Sequence, residues 1–266
     1  MSYYDKKSIL LTGAASGLGR LFSQQLTQHN CHLFLVDRDE AGLAKLKDEL
    51  PHAKISLFTC DFTNLSSVEN FTQQIKELEI DILINNAGIV SGRPFTELSN
   101  ENIINTYMVN SIVPMILTKA VITGMIKRDQ GHIVNICSAA SFVGVAKLSD
   151  YAASKAAISS FDESLRLELS KLNSKVVTTA FCPYYINTGM FDGVKTRFPS
   201  LLPILDPKRV ISRLDQAIAN KENRVILPWF IYASLIIKIL PPKIFDLILT
   251  FFGINSSMDD FKGRTK

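Results

Sequence analysis

Tyr151 and Lys155 stand four residues apart in a helical stretch rich in Ala and Ser, a spacing that puts both side chains on one helix face. A phenol ordinarily titrates near ~10, and a neighbouring ammonium favours the phenolate, so the pair predicts a tyrosine that moves protons as a general acid or base. Ser138 ends the apolar run before this helix, where its hydroxyl can reach a carbonyl oxygen held near Tyr151. Asn110 joins them through Pro114: proline has no N–H, so the carbonyl of residue 110 loses its helical partner and can hold a water that passes protons toward Lys155. Each piece has a plainer reading alone, a chance Tyr–Lys pair or a kinked helix with a solvated Asn.

A second constellation suits an anion. Thr12-Gly13-Ala14-Ala15-Ser16-Gly17-Leu18-Gly19 lies between an apolar run and the first helical pattern. A dinucleotide pyrophosphate needs bare backbone and a helix N-terminus at that point. The spacing is GxxxGxG, which differs from the common GxGxxG fingerprint but permits the same close approach. Asp37 follows Gly19 by 18 positions, near the offset at which an acid accepts from the adenosine ribose hydroxyls. An ionised Asp37 repels a 2′-phosphate, although Arg38 beside it offsets part of that, so the expected cofactor is NAD, with NADP the less favoured.

These residues sit at the joints of an alternating pattern. Short β-rich apolar runs at Ser8 to Thr12, Cys31 to Asp37, Lys54 to Cys60, Asp81 to Asn85, His132 to Ser138, Val176 to Cys182 and Arg224 to Leu227 alternate with helical stretches. Such alternation predicts an α/β fold, a doubly wound parallel sheet flanked by helices. Pro51 closes the helix that begins near Glu40, and Asn64 or Ser66 can cap the next. No linker, repeat or low-complexity tract interrupts the chain before about residue 190. The predicted organisation is a catalytic domain over 1–228, with a substrate loop at about 184–206, and an apolar helical extension of the same domain over 229–266.

Composition narrows the function classes. The 266 residues are 47% hydrophobic and 20% charged, ordinary for a folded protein. A net charge of +4 with no basic block argues against nucleic acid as a partner. Cys31, Cys60, Cys137 and Cys182 lie too far apart for a metal ribbon and sit in apolar runs, so no metal and a reducing compartment are expected. His29 and His32 straddle a helix–strand boundary with no ligand pattern around them and read as surface. The N-terminal run leads straight into the glycine turn, which predicts no export signal and no N-terminal anchor.

Near the C-terminus the apolar character rises. Val225 to Ile237 carries no charge, yet this run and Leu247 to Phe252 are both shorter than the ~18 residues of a membrane span, and Pro228, Pro241 and Pro242 break them. Trp229, Phe230, Ile231, Leu235, Ile236, Ile237, Ile239 and Leu240 would surround a helix on nearly every side, so it must be covered. Two covers fit: a lipid surface, helped by the cations Lys262, Arg264 and Lys266, or a second subunit. The expected location is cytoplasmic, peripheral on a membrane or lipid-droplet surface under the first reading.

Taken in order, TGAASGLG, Asn85-Asn86-Ala87-Gly88, Asn110, Ser138 and Tyr151-x-x-x-Lys155 resemble the short-chain dehydrogenase/reductase family over essentially the whole chain. The resemblance implies a Rossmann-type sheet binding NAD(H) or NADP(H). It implies that Tyr151 is the acid/base, that Ser138 positions the substrate oxygen, that Lys155 holds the nicotinamide ribose and lowers the tyrosine pKa, and that Asn110 supports the relay water. By it, Asp61 with Phe62 contacts adenine, Asn86-Ala87-Gly88 borders the adenosine ribose, and Ile186 and Thr188 hold the carboxamide after a turn that reads Pro183-Tyr184 here instead of Pro-Gly. The stretch from Cys182 to Phe191, with Ala146 to Asp150 and Arg197 to Pro203, looks like the branch of retinol dehydrogenases and of membrane and lipid-droplet hydroxysteroid dehydrogenases. The implied function is hydride transfer between NAD and a hydrophobic alcohol or carbonyl, by a homodimer or homotetramer. The alternatives are an NADP-linked carbonyl reductase and a nucleotide-sensing or lipid-surface binding protein without turnover.

Overall fold

The structure, a computed structural model, describes residues 2–264; Lys266, one of the predicted tail cations, lies outside the described residues. Seven strands form one parallel sheet: β1 (Ser8–Thr12), β2 (His32–Asp37), β3 (Lys54–Thr59), β4 (Ile82–Asn85), β5 (His132–Ile136), β6 (Val177–Pro183) and β7 (Arg224–Leu227). Their order is β3-β2-β1-β4-β5-β6-β7, so the winding reverses between β1 and β4. The strands stand where the apolar runs predict them, with ends moved by a residue or two: β5 stops at Ile136 and leaves Ser138 beyond the sheet.

Alternation along each strand builds two cores. Ile9, Leu11, Leu33, Leu35, Ile82, Ile84 and Val134 face one side, packed with Phe22 and Leu26 of α1 (Gly17–Leu26), Leu43 and Leu46 of α2 (Glu40–Asp48), and Val210 and Leu214 of α7 (Pro207–Ala219). Leu10, Phe34, Val36, Leu83 and Ile133 face the other side, against α3 (Leu65–Lys76), α5 (Val113–Lys127) and α6 (Ser149–Lys171). A sheet buried on both faces explains why the runs are nearly continuous in apolar residues.

Local chemistry sets the helix ends. Asp39 accepts from the Gly42 N–H, and Asn64, not Ser66, caps α3 by accepting from Ser67. Ser99 and Asn102 form a reciprocal capping box at α4 (Asn100–Tyr107). Pro114 does not simply kink the next helix: the chain opens into a π turn over Met108–Ile112 before α5 begins. The span Asn100–Lys127 is long and apolar enough to cross a membrane by length and composition, yet half of its most apolar stretch is buried in the protein.

The C-terminal run is not one all-round apolar helix. A tight turn at Trp229–Ile231 leads into the short α8 (Tyr232–Ile237), and Pro241-Pro242 turns the chain into α9 (Pro242–Phe251).

Candidate active site

In a doubly wound sheet the strand ends at the reversal point leave a crevice, and the predicted site residues border it except Gly19 and Asn110, which are buried behind it. Gly13 follows β1, Asp37 ends β2, Asn86-Ala87-Gly88 follows β4, Ser138 follows β5 and Pro183 ends β6. They border one cavity of about 730 Å³, together with Ser16, Gly17, Leu18, Arg38, Asp61, Phe62, Ile186, Thr188, Tyr151 and Lys155.

The glycine turn is held open by its neighbours. Gly13 has φ +68°, and a Cβ there would stand 2.8 Å from the Ala87 Cα; Gly19 likewise has no room for one against the Gly13 carbonyl. Asn86 Nδ2 donates to the carbonyls of Thr12 (2.8 Å) and Gly13 (3.2 Å), and the N–H groups of Asn86 and Ala87 both donate to Thr12 Oγ1 (3.0 Å each). Asp37 braces the same turn, accepting from the Ala15 N–H (3.0 Å) and the Asp39 N–H (3.1 Å). The cradle therefore presents backbone and one carboxylate, which fits a dinucleotide. Asp61 accepts from the Thr63 N–H and hydroxyl (2.9 and 2.8 Å), and Phe62 is buried beside it.

Tyr151, Lys155 and Ser138 line the floor and Asn110 lies behind it, all at most 9% exposed. Ser138 starts a tight turn, accepting from the Ala140 N–H (3.1 Å). Lys155 donates to the Ile136 carbonyl (2.7 Å), and its Nζ lies 5.9 Å from the centre of the Tyr151 ring. Burial pushes Lys155 down to about 8, opposed by the thiols of Cys137 and Cys182. Burial also pushes Tyr151 well above the ordinary phenol, only partly offset by the Ser138 hydroxyl. The expectation is that Lys155 lowers the tyrosine; here its ammonium is turned onto a carbonyl, and desolvation of the phenolate sets the direction.

Asn110 is held through its side chain. Its Oδ1 accepts from the Ile89 N–H (2.8 Å), and its Nδ2 donates to the Ile89 carbonyl (2.9 Å) and to Ser154 Oγ (3.0 Å). Asn110 thus clamps the loop after β4 to the catalytic helix α6. Asp150, which the sequence reading passed over, does the same from the other side, accepting from Ser91 (2.8 Å) and Thr106 (2.9 Å).

Pro183-Tyr184 needs no glycine: Tyr184 is not in the left-handed region, and its N–H donates to the Leu227 carbonyl (2.8 Å). Ile186 bridges to Leu205, and the Thr188 N–H donates to the Ile186 carbonyl (2.9 Å). Above Tyr151 the cavity turns aromatic: Phe191 meets the Tyr151 ring edge-on at 5.7 Å, with Tyr185 and Phe261 behind it. Phe230, Ile237, Phe245, Ile248 and Phe252 complete an apolar wall from the C-terminal segment.

Arg264 is exposed, but it is not a free tail cation. It reaches back to Ser16 at the glycine turn, a placement no local signal in the sequence announces. His29 and His32 are half-buried rather than on the surface; His32 shares a hydrogen bond with Ser56 (3.0 Å). The four cysteines are free and buried, and no cluster of metal-ligating side chains occurs among the described residues.

Residues 7–197 match the short chain dehydrogenase family. Epidermal retinol dehydrogenase 2 of Mus musculus is 37% identical over 265 residues, covering 97% of this chain and 86% of that protein. Short-chain dehydrogenase/reductase 3 of Homo sapiens is 30% identical over 267 residues, covering 98% of this chain and 88% of that protein. A solved short-chain dehydrogenase/reductase from Burkholderia phymatum in complex with NAD superposes with a TM-score of 0.78 at 25% identity, over 89% of this chain and 94% of that one. One from Sphingobium yanoikuyae in complex with NADPH gives 0.76 at 26%, over 85% and 90%.

Proposed function

The chain belongs to the short-chain dehydrogenase/reductase family, and on that premise we propose that it is an NAD-dependent dehydrogenase of hydrophobic alcohols, retinoid-like, steroid-like or long-chain. One observation carries the reading: above Tyr151 the cavity is walled by aromatic and aliphatic side chains, Phe191, Phe230, Ile237, Phe245, Ile248 and Phe252 among them. A substrate fitting it offers one oxygen to the floor and apolar surface to everything else.

A bound nicotinamide cofactor supplies the hydride acceptor; the chain supplies orientation and proton traffic. Tyr151 takes the hydroxyl proton of the alcohol, or returns it to the carbonyl oxygen in reduction, and Ser138 holds that oxygen by a second hydrogen bond. Burial keeps the Tyr151 phenol protonated in the protein alone, ready as the acid of the reductive direction; in oxidation it gives up that proton toward Lys155 and the Asn110 loop before it takes the alcohol's. Lys155, with its proton held loosely near pH 8, is positioned to pass protons between the Tyr151 region and the Asn110 loop. Gly13, Ser16, Gly17, Leu18 and Gly19 would cradle the dinucleotide. Asp37 would accept from the adenosine ribose, with Arg38 at its rim, and Asp61 and Phe62 would border the base. Asn86, Ala87 and Gly88 would flank the ribose, and Pro183, Ile186 and Thr188 the carboxamide end. Epidermal retinol dehydrogenase 2, the relative named above, supports the hydrophobic substrate. Asp37 supports NAD.

We further propose that α8 and α9 rest on a lipid surface. Their inner faces wall the cavity, while Ile236 (71%) and Leu247 (70%) on the helices, Trp229 (77%) in the turn before α8 and Ile239 (84%) after it are exposed, with Lys238 and Lys243 alongside. An apolar alcohol would then pass from lipid to Tyr151 without crossing water. Ile104 and Leu167, exposed on α4 and α6, favour assembly of copies through the long helices.

The test is a panel of retinols, steroids and long-chain alcohols offered with NAD and with NADP, read by reduced-nicotinamide fluorescence. Turnover of these substrates with NAD supports the proposal. Turnover confined to small polar alcohols, or higher kcat/KM with NADP, would overturn the substrate or the cofactor half of it.

A further inference from the structure

Residues 253–264 run from the end of α9 back across the substrate loop to the glycine turn, fastened along the way. The Lys195 N–H donates to the Ser257 carbonyl (3.1 Å), and the N–H groups of Lys262 and Gly263 both donate to the Asp192 carbonyl (2.8 and 3.2 Å). Tyr185 and Ser257 share a hydroxyl hydrogen bond (3.0 Å), and Met258 is fully buried in one cluster with Tyr151 and Leu148. Gly92, with φ +65°, leaves its face bare for the Phe261 ring, which a Cβ there would overlap. Packing thus dictates the path, and the path delivers Arg264 to one place. Its guanidinium donates to Ser16 Oγ (2.6 Å) and lies 3.4 Å from the Thr188 carbonyl. It covers Gly17, where a Cβ would stand 2.9 Å from Nη2.

A cation is out of place there. Ser16 is the N-cap of α1, makes no side-chain cap bond, and no acidic residue stands in the first turn. The first N–H groups therefore point outward with the positive end of the helix dipole, which repels a guanidinium. No carboxylate among the described residues pairs with Arg264. An anion between them satisfies both partners, helix N–H groups on one side and the planar guanidinium fork on the other. Ser16, Gly17 and Thr188, beside the guanidinium, all border the cleft assigned above to the dinucleotide. We infer that Arg264 is a ligand of the cofactor's pyrophosphate, carried in by the tail, so that the segment roofing the substrate cavity also closes the cofactor cleft. The inference rests on the dinucleotide reading of that cleft. Arg38, at the far end of β2, is left to face the adenosine ribose and any 2′-phosphate.

The experiment titrates NAD, NADP, ADP-ribose and adenosine into the full chain and into Arg264→Gln and Arg264→Lys by calorimetry, with trypsin cleavage at Lys262–Gly263 as a second readout. Losing a charge-assisted contact predicts that Arg264→Gln binds NAD, NADP and ADP-ribose about 10- to 100-fold more weakly, with Arg264→Lys between it and the parent. Adenosine, which has no phosphate, binds all three proteins alike, and NAD slows trypsin at Lys262–Gly263 in the parent but not in Arg264→Gln. NAD affinity in Arg264→Gln within about twofold of the parent, an equal loss for adenosine, or a loss confined to NADP would overturn the inference. A parent that binds neither dinucleotide would overturn the cofactor reading itself, and this inference with it.

Discussion

Replacing Lys155 by Met should make the protein more stable at neutral pH while abolishing its chemistry. Lys155 is 4% exposed, and burial drops its pKa from 10.5 to about 8. At ~1.4 kcal/mol per pH unit, that fall means burying the ammonium costs about 3 kcal/mol relative to the neutral amine. The unfolded chain holds the proton more tightly than the folded one. The penalty is therefore full below about pH 8, shrinks as pH rises toward 10.5, and is gone above it. Methionine has nearly the same length and carries no charge, but it leaves the Ile136 carbonyl without the donor it has at 2.7 Å, at a cost of about 1–2 kcal/mol. The balance is a gain of about 1–2 kcal/mol for Lys155→Met near pH 7, turning into a loss of similar size by about pH 10.5. Urea unfolding of parent and variant across that range, with no dinucleotide added, measures the difference directly, since other titrating groups cancel between the two proteins. A variant less stable than the parent at pH 7, or a difference flat with pH, would refute the buried-ammonium reasoning.

Tyr151→Phe keeps the ring against Phe191 and removes the proton-carrying oxygen. Turnover should fall by about 10²- to 10⁴-fold with NAD affinity nearly unchanged, and parent-like turnover would sink the assignment. Asp37→Ala removes the carboxylate beside Arg38, so the kcat/KM ratio of NAD to NADP should drop; a parent that already prefers NADP contradicts this. The double variant Trp229→Ser/Ile236→Ser should no longer pellet with anionic liposomes at low salt, where the parent does. A parent that stays in the supernatant as a defined dimer or tetramer points those helices at a second copy instead.

The sheet was legible because its strands are buried on both faces: runs such as Ile9-Leu10-Leu11 and Ile82-Leu83-Ile84 are apolar without interruption, and glycine, proline and Asx residues punctuate them. The strand-end rule then brings Gly13, Asp37, Asn86, Ser138 and Pro183 to one edge with no further information. What depended on tertiary packing was not legible. The charge state of Tyr151 and Lys155 follows from how much protein covers them, which a four-residue spacing does not carry. The side-chain contacts of Asn110 with Ile89 and Ser154 join three separate segments. Arg264 reads as a surface cation near the end of an apolar run; only the fold, crossing 248 positions, lays that exposed side chain on Ser16.

The pocket and the sheet are also held by unequal means. Strands β1 and β4 lie in the middle of a seven-stranded ladder, whereas residues 253–264 hold to the rest through a few backbone bonds, the anchor of Met258 and ion pairs such as Lys195–Asp260, whose side chains are 76% and 57% exposed. Exposed pairs of that kind contribute about 0–1 kcal/mol each. With the Tyr185–Ser257 bond and the Phe261 packing as its other ties, the roof should open as a cooperative unit of its own before the sheet does. In native-state hydrogen exchange the Lys262 amide should exchange through small openings insensitive to denaturant, while the amides of Leu10 and Ile84 exchange only when the whole chain unfolds. Loss of activity on warming would then precede loss of secondary structure, and a ligand that seals the roof would bring the two together.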